Sequence, residues 1–353
     1  MKKLCIPVLA IAACVLLSAC SASIEKPEGT AASISIHARI ADYFPANDNT
    51  RLIYQGTGNE FASYEVYTDY TDNGLIQQRI STGGTTAVRI VHISKNRAEI
   101  VYSQGETYFR QNMLDLRAGA PEALLKAPLE TGRSWLLGDG RIRTITGAGI
   151  TIETPAGSFD TIEVTTEGPY GKSMDYYAKD VGIVKTVYVS EGGPVISELS
   201  KVEKDVPLVQ TVRFYYPNAY SEKLGYIDKE VGFYTNDITR DVLANTYKEA
   251  PPAPLGHVFS SGSKINSLYL NKDGMVYIDL NEAFAQEMNA GAAYEQAILQ
   301  SVANTFGRYY GVMRVMLTVE GQPYVSGHIA MRPGEYLTVD DGAGLSAPRT
   351  ESE

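Results

Sequence analysis

Asp273-Gly274-Met275-Val276-Tyr277-Ile278-Asp279-Leu280-Asn281-Glu282-Ala283-Phe284 decides how the C-terminal part of this chain folds. Asn271-Lys272-Asp273-Gly274 reads as a tight turn, with Gly supplying the positive φ that such turns require. After it Val276, Ile278 and Leu280 share one face while Tyr277 and Asp279 share the other, the pattern of a half-buried strand. Ile265–Leu270 supplies the opposite arm of a hairpin. Upstream, Asn236 or Asp237 is placed to cap a helix carrying Ile238, Val242, Thr246 and Tyr247, which Pro251, Pro252 and Pro254 stop. Downstream, a second helix is predicted over 292–306, with Tyr294, Ile298, Leu299, Val302 and Phe306 as its stripe and Gly307 as its stop. A last alternating strand covers 312–319. These elements predict an α/β unit, two helices on a small sheet.

Outward from that unit, the stretch before it changes rhythm. Phe61–Thr68, Ala87–Ile93 and Ala98–Tyr102 alternate apolar and polar residues, punctuated by Asp72-Asn73-Gly74, Gly83-Gly84 and Ser94-Lys95-Asn96. The same rhythm continues to Ser190, and only 111–127 hints at a helix. Short strands at this spacing predict an antiparallel all-β region, either a curved sheet (half-barrel) or a sandwich. The pattern breaks between Glu203 and Val209. The expected organisation is therefore a β-rich domain over 39–202 and an α/β domain over 203–340. A loose tail rich in Gly, Ser and Pro is expected over 341–353.

Lys2 and Lys3 precede a short apolar run that ends in Leu17-Ser18-Ala19-Cys20. A basic head, a brief hydrophobic stretch and small residues form a secretory signal, too short to cross a ~30 Å hydrocarbon layer comfortably. The last four residues resemble the bacterial lipobox, which implies cleavage after residue 19 and lipidation of Cys20. Two acyl chains, at about 0.8 kcal/mol per buried methylene, hold a protein stably on a membrane surface. Residues 20–38, rich in Ser, Ala, Glu, Pro and Gly, read as a flexible tether. The three cysteines are Cys5, Cys14 and Cys20, so a mature chain of this kind keeps no thiol for a disulfide, a nucleophile or a metal. The formal charge is −10, and loss of 1–19 removes two lysines and no acid. Such a balance excludes the basic footprint of a nucleic-acid binder.

The segment from Thr211 to His328 resembles the GerMN domain of sporulation and spore-germination proteins. The likeness rests on Gly262-Ser-Lys-Ile-Asn-Ser-Leu-Tyr-Leu270, on the Asp273–Phe284 hairpin, on Val302-Ala-Asn-Thr-Phe306, on Gly311–Tyr324 and on Gly327-His328-Ile329. Gly274, Asp279, Asn304, Gly311, Gly327 and His328 fall on the family's motif positions, where a structural role is implied. The resemblance implies a compact α/β domain, akin to ring-building modules, in membrane-anchored lipoproteins of spore and envelope assembly. One such domain is found here, and the β-rich half lies outside it.

Chemistry is sparse. His37, His92, His257 and His328 are widely spaced and form no H-E-x-x-H or H-x-H pattern. Ser261-Gly-Ser-Lys264 fits S-x-x-K, but that nucleophile must open a helix, and a strand follows. Asp279 and Glu282 could pair as carboxylates, yet a cap at the strand-to-helix turn, from Asp279 or Asn281, explains them more simply. No metal and no cofactor is expected, and the chain reads as a non-enzyme. The 24 tyrosines stand out against 9 Phe and 1 Trp. Tyr215, Tyr216, Tyr220, Tyr226 and Tyr234 cluster at the domain junction as a candidate contact surface, since Tyr combines rigid area with a polar tip. The expected function is a lipid-anchored extracytoplasmic assembly protein of sporulation, germination or envelope building. Its partners would be the membrane, reached through the lipid, and a protein docked on the GerMN-like domain, with no nucleic acid. The alternatives are a peptidoglycan- or glycan-binding module and a carrier of an apolar ligand in the β-rich domain.

Overall fold

The structure, a computed structural model, describes residues 38–169, 171–340 and 344–346. Cys20, His37 and most of the expected tether and tail lie outside these residues. A short helix, α1 (Ile40–Tyr43), leads into β1 (Arg51–Thr57), β2 (Tyr64–Asp72), β3 (Leu75–Thr82), β4 (Thr86–Ile93), β5 (Arg97–Gln104) and β6 (Glu122–Lys126). A second set follows: β7 (Ser134–Leu136), β8 (Ile142–Thr154), β9 (Gly157–Gly168), β10 (Gly171–Ala178), β11 (Gly182–Ser190) and β12 (Gly193–Glu203). All twelve form one antiparallel sheet, with β1 and β12 neighbours at its middle and β6 and β7 at its edges.

The sheet curls until its edges nearly meet. Trp135 Nε1 on β7 donates to the Ala123 carbonyl on β6 at 3.0 Å, and Arg143 on β8 reaches the same carbonyl at 2.7 Å. Bulges at Thr68/Tyr70, Ile90/Val91 and Ile145/Gly147 bend the strands, as an extra residue on one strand does. Between the two expected forms, the sequence adopts the curved sheet. On the concave face Ile40, Tyr43 and Phe44 of the α1 segment pack with Val91, Leu124, Ile145 and Ile162. Leu52, Tyr54 and Val66 pack with Val184 and Leu199 beside them. The convex face of β2–β5 is also covered. Tyr70, Val88, Ile90 and Val101 join the core of the C-terminal lobe, so these strands bury both faces.

The C-terminal lobe begins with the long hairpin β13 (Leu208–Asn218) and β14 (Ser221–Phe233), followed by α2 (Thr239–Lys248). Next come β15 (Ile265–Leu270), β16 (Val276–Leu280), α3 (Glu282–Gln286), α4 (Ala292–Tyr310) and β17 (Arg314–Val319). The last strands are β18 (Gln322–Pro323), β19 (Leu337–Thr338) and β20 (Gly344–Ser346). β15 and β16 form the expected hairpin, and β16 runs parallel to β17 after the crossover through α4. Few helices on small sheets is the observed arrangement. However, α4 is buried without a break from Ser301 to Gly307, against β13 as well as β16 and β17, and not along one stripe.

Three local expectations are corrected. Residues 111–127 form no helix: their apolar residues Met113 and Leu114 fill the core between the lobes from an irregular loop, and β6 follows. Gly307 does not stop α4. The helix runs on to Tyr310, and Gly311, at φ 70°, ends it in the left-handed conformation. Nor do Asn236 and Asp237 cap α2: Asn236 bonds Thr71 of β2, and Asp237 accepts from the Tyr234 amide.

Arg110, fully buried, clamps the two lobes together. Its Nη1 donates to Tyr70 Oη (2.8 Å), Thr239 Oγ1 (2.9 Å) and the Asp237 carbonyl (2.6 Å). Its Nη2 donates to the carbonyls of Asp69 (2.8 Å) and Tyr234 (2.9 Å). Asp69 is the extra residue of the β2 bulge, and its carboxylate pairs with Arg79 at 2.9 Å. Arg79 in turn holds the carbonyls of Thr107 and Phe109, which fixes the loop that carries Arg110.

Candidate functional site

The tyrosine cluster does not form one surface. Tyr215 and Tyr216 are consecutive on β13, yet both are buried. The Tyr215 amide donates to Thr305 Oγ1 of α4, and its carbonyl accepts from Tyr247 Oη. Tyr216 packs edge-on against Tyr247, and burial pushes both hydroxyls above the ordinary range. Tyr226 is half-buried beneath the Arg213 guanidinium, 3.8 Å from its ring centroid. Tyr234 is partly exposed, and its backbone serves the Arg110 clamp. Only Tyr220 stands clear of the fold, at 88% exposure. The expected contact surface is corrected accordingly: sequence spacing brought these rings together on paper, and strand packing sends two of them into the core.

Tyr220 sits at the β13–β14 turn and lines a groove of about 710 Å³ together with Leu224 and, from α4, Tyr294, Ala297 and Gln300. Asp340 is the one charged residue of the described lining.

The family-motif residues hold local structure. Gly274 completes the β15–β16 turn at φ 74°. The Asp279 carboxylate accepts from Thr318 Oγ1 (2.6 Å), the Gly321 amide (2.7 Å) and Asn266 Nδ2 (3.0 Å), so it ties β16 to β15 and to the β17–β18 turn. It does not cap α3, and neither does Asn281, which bonds the Lys264 amide and the Gly262 carbonyl. Glu320, from across the sheet, takes the Glu282 amide instead. Asn304 is fully buried on α4 and bonds both backbone groups of Asp340, as a strand partner would. Gly327 and His328 lie in the turn closed by Ser326. Ser261 and Lys264 flank a turn just before β15, not the opening of a helix.

One titratable cluster was not foreseen. Glu295 of α4 is 3% exposed; it accepts from Tyr324 Oη at 2.8 Å and lies 2.8 Å from His328 Nδ1. Burial alone would push its carboxyl up. The hydrogen bonds of Ser326, His328 and Tyr324 outweigh that and hold it below the ordinary range. A charged residue in phase with the Ile298 and Val302 positions was the available signal. Both carboxylate oxygens are thus engaged within the fold. Among the described residues no group of His, Cys, Asp and Glu is arranged to hold a metal.

A curled twelve-stranded sheet joined to a small α/β lobe is the class of molecule these features define. Residues 213–325, about a third of the chain, match the Germane family model, described as sporulation and spore germination. These residues therefore form a Germane, or GerMN-type, domain. No curated protein matches the chain. Among solved structures, it is similar to a Bacteroides fragilis protein described as exported and YmcC-like in fold. That likeness has 13% identity over 44% of this chain and 96% of the other, with a TM-score of 0.29. A Parabacteroides distasonis protein described as a lipoprotein gives 13% identity over 46% and 98%, also at 0.29. The tandem GerMN domains of GerM from Bacillus subtilis give 18% identity over 39% of this chain and 48% of that one, at 0.29.

Proposed function

We propose that this chain is a lipid-anchored extracytoplasmic protein that works by contact, its GerMN-type domain docking a protein partner in sporulation, germination or envelope assembly. The observation that carries the reading is the Germane match over 213–325. The leader ending in Leu17-Ser18-Ala19-Cys20 supports the location. No described helix is long and apolar enough to cross a membrane; two acyl chains on Cys20 would hold the protein at the surface. A tether confined to one surface raises the effective concentration of a partner in the same membrane. The exposed Tyr220 and its groove are the contact point. The reading is non-catalytic, and it is supported by the carboxylates of Asp69, Asp279 and Glu295, each occupied by structural hydrogen bonds.

Photo-cross-linking from native membranes tests this, with the photoreactive residue at position 220 and, as a control, at exposed Tyr188. One discrete protein adduct from position 220 alone is the expected result. Equal labelling from both positions removes the docking site, and a Cys20→Ser chain that still sediments with membranes removes the anchor. A second reading, glycan binding, rests on Tyr220 and Tyr294 lining one groove, where sugar rings could stack. Co-sedimentation with purified cell wall that Tyr220→Ala abolishes would favour it over protein docking.

A further inference from the structure

The curled sheet lines a partly open cavity of about 340 Å³ on its concave side. That places it at the small end of ligand pockets, ~300–1,000 Å³. Its walls mix apolar side chains such as Leu52, Val66 and Leu124 with charged ones. Arg89 of β4 and Asp175 of β10 both line it. Arg89 donates through Nε to Gln78 Oε1 at 3.0 Å, and its two terminal nitrogens have no partner among the described residues. Asp175 accepts from Thr186 Oγ1 at 2.8 Å through Oδ1, which leaves Oδ2 open. The neighbouring guanidinium of Arg143 is already spent on Glu122, Thr166 and the Ala123 carbonyl. Arg89 and Asp175 form no ion pair with each other.

A positive and a negative group, each half-buried and each with polar atoms that no described residue engages, therefore line one space. A ligand that meets both with charge-assisted hydrogen bonds gains more than one that meets neutral groups. Burial raises the Asp175 carboxyl, against the opposing pull of Thr186, Arg143 and Arg89, as expected of a carboxylate still short of a partner. One wall is aromatic: Tyr54 and Tyr64 stack at 4.4 Å, a flat π-face of the kind that attracts ammonium groups. Glu122 lines the cavity and is also one-third exposed, which marks the mouth beside the gap between β6 and β7.

We propose that this cavity binds a small zwitterion, its acidic group on Arg89 and its amino group on Asp175 against the tyrosine wall. The site is independent of the docking role of the GerMN-type domain, so either can fail without the other. Calorimetric titration of the full chain in detergent tests it. The probes are glycine, β-alanine and diglycine as zwitterions of increasing charge separation, with acetate, methylammonium and palmitate as controls. The expected result is saturable heat from one zwitterion, weakened about tenfold or more by Arg89→Gln and by Asp175→Asn. Arg89→Lys should recover part of the loss, and melting curves should show each variant folded. Equal binding of acetate makes the site a simple anion site and overturns the proposal. Saturable binding of palmitate alone does so in favour of an acyl ligand. No saturable heat from any probe does so in favour of a water-filled space.

Discussion

Arg110 donates five hydrogen bonds from a position with no solvent exposure, so its contribution is best judged by what its removal strands. Arg110→Ala would take one donor each from Tyr70 Oη, Thr239 Oγ1 and three carbonyls, leaving the two hydroxyls only each other and the Asp69 and Tyr234 carbonyls only the amides of Asn236 and Asp237. Breaking a buried charged network from one side typically costs 3–5 kcal/mol, and a loss of about that size is expected in chemical denaturation. Glu295 gives a test in acid. Its carboxyl is held below the ordinary value, so its stabilisation is present above the unfolded value of about 4.3 and is lost as pH falls through the folded one. Glu295→Gln should therefore lie below the parent in stability at neutral pH, and the gap should begin to narrow as pH falls below about 4.3. Neither residue's role was legible in sequence. The side-chain partners of Arg110 lie up to 129 positions away, and a single Arg in a loop carries no sign of that. Tyr215 and Tyr216 mislead for a related reason: adjacent strand residues point to opposite faces, and only a strand covered on both sides buries both.

Single elements were more readable. The β15–β16 hairpin follows directly from Asn271–Gly274 and the alternation after it, because turn geometry and side-chain period agree there. The error at 111–127 arose where apolar spacing served a loop wedged between lobes, a burial that periodicity cannot distinguish from a helical face. Gly307 was misread because glycine has two uses, as a helix stop and as a point of close approach. A Cβ at Gly307 would lie 2.2 Å from Val339 Cγ2 and 3.0 Å from the Val312 carbonyl. Gly307→Ala should thus destabilise by about 1–3 kcal/mol by thermal melting, although alanine is the better helix former by about 1 kcal/mol. The cavity residues show the same ambiguity in the half-barrel. In Ala87-Val-Arg-Ile-Val-His-Ile93 the sequence does not say whether Val88 and Ile90 or Arg89 and Val91 face inward. Both sets are covered, by different lobes.

At the scale of the molecule, one apolar cluster runs from Tyr70 and Val88 through Phe214 and Phe233 to Phe306 and Val315, across both lobes. Lobes that share a core should unfold together. A single denaturation transition seen equally by far-UV circular dichroism and by tyrosine fluorescence is expected, and two separated transitions would contradict it. For the same reason, residues 203–340 expressed alone should bind a hydrophobic dye strongly, because the face that covers β2–β5 would be bare.

The pairing of β1 with β12 also governs how such a sheet can come into being. β1–β6 and β7–β12 can each grow by hairpins between successive strands, whereas Arg51 and Glu203 must find each other across the whole span. Distant pairings of this kind are the slow ones. Until that seam zips, both strands are raw rims able to accept a stranger's strand. Assembly is then a race between self-closure and a neighbour's intrusion, and crowding during synthesis decides which wins.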